Sequence, residues 1–118
     1  MDKLDKIFSM QKALDDDIAE RRQLSFTREE WIQKGVLAML SELSEVLDEA
    51  RFKWWKNAEP VDEAALRDEL VDVLHFFVSM CIRSGMSAEE LYGRYVEKNR
   101  ENFDRQYGRS QKPGYEVK

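Results

Sequence analysis

Apolar side chains recur every three or four residues in four stretches of the chain, which is the spacing of one face of an α-helix. The first stretch covers residues 2–19 and the second about 27–52. The third runs from about 61 to 83, and the fourth begins at 87. No stretch alternates between apolar and polar residues as a half-buried strand does. The pattern therefore predicts an all-α, four-helix-bundle-type fold.

Short signals mark the limits of these helices. Thr27-Arg-Glu-Glu30 and Ser87-Ala-Glu-Glu90 match the capping box that begins a helix. Ser84-Gly85 is typical of a helix end. The chain of 118 residues suits a single domain, residues 1–118. Its tail, about residues 108–118, contains Pro and Gly and is expected to be mobile when free.

Composition narrows the setting. The net charge of −5 argues against a general nucleic-acid surface, which is normally basic. The one cysteine, Cys81, lies in an apolar run and is expected to be a buried thiol. The amphipathic start of the chain does not resemble a signal peptide, and no apolar run approaches a membrane span. These features predict a cytoplasmic protein that binds neither nucleic acid nor membrane.

Two pairs of acids lie on consecutive predicted helices, Glu42-Leu-Ser-Glu45 and Glu69-Leu-Val-Asp72. Residues three apart share a helix face, so each pair projects from one side. Four facing carboxylates repel one another unless a cation is present. Oxygen-only ligands favour Mg²⁺, with Mn²⁺ as the alternative, over zinc. The pairs therefore indicate metal-assisted attack of water on a phosphate chain.

Several other polar residues allow two interpretations. Gln11 falls on an apolar stripe of the first helix. It is either an amide of the core or a residue that points into a ligand pocket. His75 is a structural histidine or a base. The segment Lys53-Trp-Trp-Lys56 also has two interpretations. Its tryptophans lie in the core while its lysines reach water, or one of its lysines is directed at a phosphate. Amide and cationic side chains lie together on one face of the fourth predicted helix, where they form either an interhelical hydrogen-bond network or the wall of a ligand site. They are Lys98, Asn99, Asn102, Arg105 and Gln106.

Two rival functions fit parts of the pattern. A di-iron bundle needs repeated Glu-x-x-His, whereas His75 is the only histidine and follows Asp72, not a Glu, by three residues. A non-catalytic helical interaction module would use the acids as an exposed face and the amides as contacts.

The acid pairs resemble the signature of the all-α nucleoside triphosphate pyrophosphohydrolases, which include MazG-like enzymes and dimeric type II dUTPases. Four further segments are similar to the dUTPase branch. They are Gln11 to Asp15, Lys53 to Lys56, Asp72 to Phe76, and Lys98-Asn99 with Asn102, Arg105-Gln106 and Gly114-Tyr115.

The resemblance implies that metal-activated water hydrolyses dUTP to dUMP and pyrophosphate in a homodimer or homotetramer. It implies a metal site of Glu42, Glu45, Glu69 and Asp72, with Glu42 and Glu45 catalytic. It also implies contacts to base or sugar from Gln11, Trp31 and Asn102, and to phosphates from Lys56, Lys98, Arg105 and Tyr115. Asp15 stands where that branch often has Asn, and the chain is compact, which leaves dCTP or a modified nucleotide as alternative substrates.

Overall fold

The computed structural model describes residues 1–117, which contain four helices and no strand. These are α1 (Lys3–Arg21), α2 (Arg28–Glu49), α3 (Glu63–Arg83) and α4 (Ala88–Gln106). The predicted all-α class is confirmed. The chain divides into two compact units: Met1–Gly85 holds α1 to α3, and the part from Met86 onward holds α4. Among residues 1–117, a membrane-spanning length of apolar helix is reached only if α3 and α4 are taken together.

Side-chain caps begin every helix. Asp2, Thr27, Asp62 and Ser87 each accept a hydrogen bond from the backbone N–H three residues later. This satisfies a donor that has no partner within the helix. Thr27 and Glu30 complete the predicted capping box. Gly85 after α3 has a φ of +87°, the left-handed conformation expected of a glycine at a helix end.

The end of α2 differs from the prediction. The helix ends at Glu49 rather than near residue 52, and Arg51 takes a left-handed φ of +57°. A non-glycine residue rarely adopts this conformation, so the sequence carries no obvious signal for it. The Arg51 guanidinium contacts the far side of the connection, at the Pro60 carbonyl oxygen (3.3 Å) and the Glu59 carboxylate (3.4 Å).

In the first unit, α3 packs between α2 and α1 with a different direction relative to each. Arg28 donates to the Ser84 carbonyl oxygen, and the side chain of Met80 lies against Gly35. Residue numbers therefore rise along α2 as they fall along α3, so the two helices are antiparallel. The α1 side chains instead meet residues 64 positions later, and α1 and α3 run parallel.

The buried core of this unit is small. Phe8, Val78 and Cys81 are buried, as expected for the cysteine, and burial raises the pKa of its thiol. The apolar arcs of α2 and α3 are 40–57% exposed, at Val36, Leu40, Leu43, Leu47, Leu70, Leu74 and Phe77. These rows form an apolar surface that the described chain leaves uncovered.

In the second unit, the segment after α4 folds back on that helix. The Ser110 hydroxyl donates to the Glu101 carboxylate, and Arg109 pairs with Asp104 at 3.1 Å. Hydrogen bonds from Ser110 and Arg105 hold the pKa of Glu101 below its ordinary value.

Candidate functional site

The two acid pairs meet where α2 and α3 pack against each other. Ligand oxygens of Glu42, Glu69 and Asp72 all lie within 4.8 Å of one another. Glu45 is not one of these three, but its exposed carboxylate is close enough to Glu42 and Glu69 to raise the pKa of both. The i, i+3 spacing puts each pair on one face, and the antiparallel packing brings the faces together. These four residues are called the acid cluster below.

The carboxylates of the acid cluster raise one another's pKa. Hydrogen bonding to Glu45, burial and the surrounding carboxylates raise the pKa of Glu69 to about 7. Burial and the neighbouring Glu45 also raise the pKa of Glu42. One carboxylate oxygen of each, Oε2, is buried without a hydrogen-bond partner among residues 1–117. Such atoms are costly in a folded protein, and an all-oxygen set of this kind fits a hard divalent cation.

A cavity of about 550 Å³ extends from the acid cluster between the three helices of the first unit. Glu42 and Asp72 line one end of it, and Trp31 and Arg83 line the other. The wall between them is formed by Gln11, Leu14, Asp15, Ile18, Lys34, Gly35, Ala38, His75, Phe76 and Ser79. The cavity volume is in the range of small-molecule sites in proteins.

One wall of this cavity carries a connected set of polar side chains. The Gln11 side-chain nitrogen donates to Asp15 Oδ1 (2.9 Å), and the Ser79 hydroxyl donates to Asp15 Oδ2 (2.8 Å). Gln11 Oε1 contacts His75 Nδ1, which carries the hydrogen because an amide oxygen only accepts. These four residues, Gln11, Asp15, His75 and Ser79, are called the polar wall.

Gln11 and His75 thus have the structural roles that the sequence allowed. Gln11 is buried, with 6% of its surface exposed, and it bonds to a neighbouring helix while lining the cavity. Its two interpretations are therefore compatible. His75 supports Gln11 through Nδ1, and its ring also lines the cavity.

The end of the cavity away from the acid cluster combines an aromatic ring with cations. The Arg83 guanidinium lies 4.0 Å from the centre of the Trp31 ring, and in the described part of the chain its buried Nε has no hydrogen-bond partner. Close packing shapes this end, since a Cβ atom at Gly35 would lie 2.6 Å from Met80 Cγ.

The structure places Lys56 in a separate hollow of about 400 Å³ in the α2–α3 connection. Arg51 and Lys53 also line it, so the hollow is rich in cations. The adjacent Trp54 and Trp55 are 84% and 60% exposed. The interpretation of these tryptophans as core residues is therefore wrong for the described chain, and a lysine directed at phosphate remains a prediction.

The remaining predicted substrate contacts belong to the second unit. Lys98 and Asn102 are exposed on α4. Arg105 pairs with Glu101 at 3.1 Å, and its guanidinium lies 5.3 Å from the centre of the Tyr115 ring. Their roles in binding phosphate or base stay predictions.

Sequence reasoning missed three cavity residues, Lys34, Ser79 and Arg83. A signal for two of them was present. Ser79 and Arg83 follow Asp72 by seven and eleven residues, a spacing that continues the same helix face. Extending the acid-bearing face of α3 toward its end would have found both.

Comparison with known proteins places the chain in a protein family. The sequence profile of the dUTPase family matches residues 3–86. The chain belongs to this family. The match to the dUTPase family spans the first unit, and so includes the acid cluster and the polar wall. The predicted substrate contacts on α4 and the tail after it lie beyond the match.

Relatives of this dUTPase-family chain come from bacteriophages. It is 35% identical to a dCTP pyrophosphatase of Enterobacteria phage T4 over 62% of this chain and 51% of that protein. It is 43% identical to a dCTP pyrophosphatase of Enterobacteria phage LZ5 over 49% of this chain and 34% of that protein. The chain spans about half or less of the length of these relatives. No solved structure matches it.

Proposed function

We propose that this chain is a metal-dependent nucleoside triphosphate pyrophosphohydrolase, releasing a nucleoside monophosphate and pyrophosphate. The observation that carries the proposal is the acid cluster at one end of a cavity large enough for a nucleotide. Membership of the dUTPase family and the dCTP pyrophosphatase relatives support the same reaction class.

The acid cluster would hold the metal through Glu42, Glu45, Glu69 and Asp72, with Mg²⁺ favoured and Mn²⁺ as the alternative. When bound, Mg²⁺ would offset phosphate charge and favour attack by water. Water would form a bond to phosphorus while the phosphorus–oxygen bond to pyrophosphate breaks. Glu45 raises the pKa of two other acids of the cluster, and it would accept the proton that the water loses.

The rest of the cavity would hold the nucleoside. Gln11 would hydrogen-bond the base, and Trp31 supplies an aromatic face on which a base can stack. Lys56 lies in a cation-rich hollow and would attract phosphate. Asn102 would contact the base, and Lys98, Arg105 and Tyr115 the phosphates, by resemblance to the dUTPase branch.

Two pyrimidine substrates have support. The description of the family as dUTPase favours dUTP as the substrate. The names of two relatives favour dCTP as the second candidate.

Self-association into a homodimer or homotetramer also belongs to the proposal. The apolar side chains exposed on α2 and α3 form a surface whose contact with water is unfavourable. A second copy of the chain would cover it.

A nucleotide panel tests the reaction. The purified chain is incubated with each common nucleoside triphosphate, with Mg²⁺ or with EDTA, and pyrophosphate and orthophosphate are measured separately. We expect pyrophosphate from dUTP or dCTP only with metal. If no nucleotide yields pyrophosphate, the proposed function is wrong.

Melting the chain with Mg²⁺ and a non-hydrolysable dUTP or dCTP analogue separates this enzyme from a non-catalytic module. Ligands that bind the folded state raise the melting temperature, whereas a module without a nucleotide site would show no shift.

A further inference from the structure

We propose that Asp15 selects the base and that it favours cytosine over uracil, so that the preferred substrate is a cytosine nucleotide. Its carboxylate would accept a hydrogen bond from the 4-amino group of cytosine. This inference rests on the proposed function, because it assumes that the cavity holds a nucleotide with its phosphates at the acid cluster.

The position of Asp15 along the cavity suits a contact to the far edge of a pyrimidine. Asp15 is bonded to Ser79, which lies seven residues after Asp72 on α3. At the rise of a helix, this is roughly 10 Å from the acid cluster. In a pyrimidine nucleoside the 4-substituent lies opposite the bond to the sugar. It is therefore the part of the base that reaches farthest from the phosphates.

The bonding state of Asp15 leaves it able to accept but not to donate. Each of its two oxygens already accepts one hydrogen bond, from Gln11 and from Ser79. A carboxylate offers about four acceptor positions, so further ones remain on Asp15, which lines the cavity. Cytosine presents an N–H donor at position 4 and satisfies one of them. Uracil presents a carbonyl oxygen there, and two acceptors would face each other.

Gln11, the member of the polar wall on the turn of α1 nearer the acid cluster, does not discriminate between the two bases. The Gln11 amide gives one N–H to Asp15 and receives one hydrogen from His75. It keeps a second donor and a second acceptor position, and can pair with N3 of cytosine or with N3–H of uracil. The same bonds hold the amide in one orientation. Discrimination therefore falls to Asp15, one turn of α1 farther along.

Two relatives named dCTP pyrophosphatase agree with this assignment. Asp15 supplies a physical reason for a cytosine preference in this chain, whereas family membership alone suggests dUTP.

The experiment compares kcat/KM for dCTP and dUTP in the wild type and in Asp15→Asn. We expect the wild type to prefer dCTP roughly 10- to 100-fold, the range for a hydrogen bond to a charged group. In Asp15→Asn, the amide oxygen can still accept from Ser79 or Gln11 while its NH₂ donates to the uracil carbonyl. The dCTP-to-dUTP ratio should therefore fall roughly 10- to 100-fold, by the same reasoning.

One matched variant controls for general damage. Asp16→Asn makes the same chemical change at the next residue, which pairs with Lys12 at 2.7 Å and does not line this cavity. It should retain the dCTP preference. A wild type that uses dUTP as well as dCTP, or an Asp15→Asn variant with an unchanged ratio, would overturn the proposal.

Calorimetric titration with dCMP and dUMP in the presence of Mg²⁺ separates the failure of this inference from failure of the proposed function. Tighter binding of dCMP by the wild type, without release of pyrophosphate from any triphosphate, would remove the reaction but keep the base assignment. Equal or weaker binding of dCMP than of dUMP would remove the base assignment whatever the turnover. Because this measurement uses the wild type, it also decides the matter if Asp15→Asn does not fold.

Discussion

The acid cluster and the polar wall line the same cavity, only a few turns apart on α3. They differ in whether their polar atoms are paired. In the acid cluster, carboxylates face one another, and two buried oxygens have no hydrogen-bond partner within the residues that the structure describes. In the polar wall, each of the four side chains is bonded to another member. The first region brings like charges together, whereas the second is already organised by hydrogen bonds.

This difference separates two tasks within one cavity. Burying like charges without a partner destabilises the folded chain, and a cation that binds there regains that free energy. Satisfied polar groups cost less to keep buried and hold a fixed pattern of donors and acceptors. Metal binding should therefore change the stability of the protein strongly, and base recognition should depend on preset geometry.

The largest expected effect comes from removing one charge of the acid cluster. Glu69→Gln preserves the shape of the side chain but removes a ligand charge. We expect kcat to fall at least about 100-fold, because even outer partners of metal ligands contribute 10- to 100-fold. The metal-free variant should nevertheless melt at a higher temperature than the metal-free wild type, since the repulsion is relieved. Steady-state kinetics and melting in EDTA measure the two changes.

Asp68→Asn is the control for this prediction. Asp68 is the preceding acid on α3 and is exposed. It should keep both the activity and the melting temperature of the wild type. If Glu69→Gln melts at a lower temperature than the wild type in EDTA, the like-charge description of the acid cluster is contradicted.

A smaller effect is expected from pH in the metal-free protein. The pKa of Glu69 rises from 4.5 to about 7 on folding, and that of Glu42 is also raised. A carboxyl whose pKa is raised by folding binds its proton more tightly in the folded state, so stability falls as pH rises. We expect the melting temperature in EDTA to decrease between about pH 4.5 and pH 7, and to level off above that.

Subtracting the profile of Glu69→Gln isolates this contribution from the other titrating groups. The decrease should be weaker in that variant, and saturating Mg²⁺ should reduce it in the wild type. A wild-type melting temperature that rises relative to the variant across the same interval would contradict the like-charge description of the acid cluster.

The sequence predicted the features that depend on local spacing. The i, i+3 acid pairs and the Thr27 capping box follow from the geometry of a single helix, and both are present in the structure. Gly85 likewise has the left-handed conformation that ends α3. These features needed no knowledge of how the helices pack.

Features that depend on the relative placement of two helices could not be derived in this way. The bonds from Gln11 to His75 and from Ser79 to Asp15 join residues 64 positions apart, and no local pattern specifies that register. The stacking of Arg83 on Trp31 is similar in origin. The early end of α2 had another cause, since Arg51 adopts a conformation for which its residue type gives no signal.

The smallest expected effect tests the packing of the cavity away from the acid cluster. In Gly35→Ala, the new methyl group would lie 2.6 Å from Met80 Cγ, so Met80 must move. Overpacking costs about 1–3 kcal/mol, and the gain in helix propensity offsets about 1 kcal/mol of this. We expect a net loss of about 1 kcal/mol in the free energy of unfolding, measured by denaturant titration. Gly93→Ala is the matched control, because beyond its chain neighbours and the backbone of its own helix turn no described atom lies within 4 Å of its Cβ position, and it should gain about 0.5–1 kcal/mol. Stabilisation by Mg²⁺ should be unchanged in Gly35→Ala if the acid cluster and the rest of the cavity act separately. A loss of that stabilisation would show that the packing at Gly35 also positions the acids.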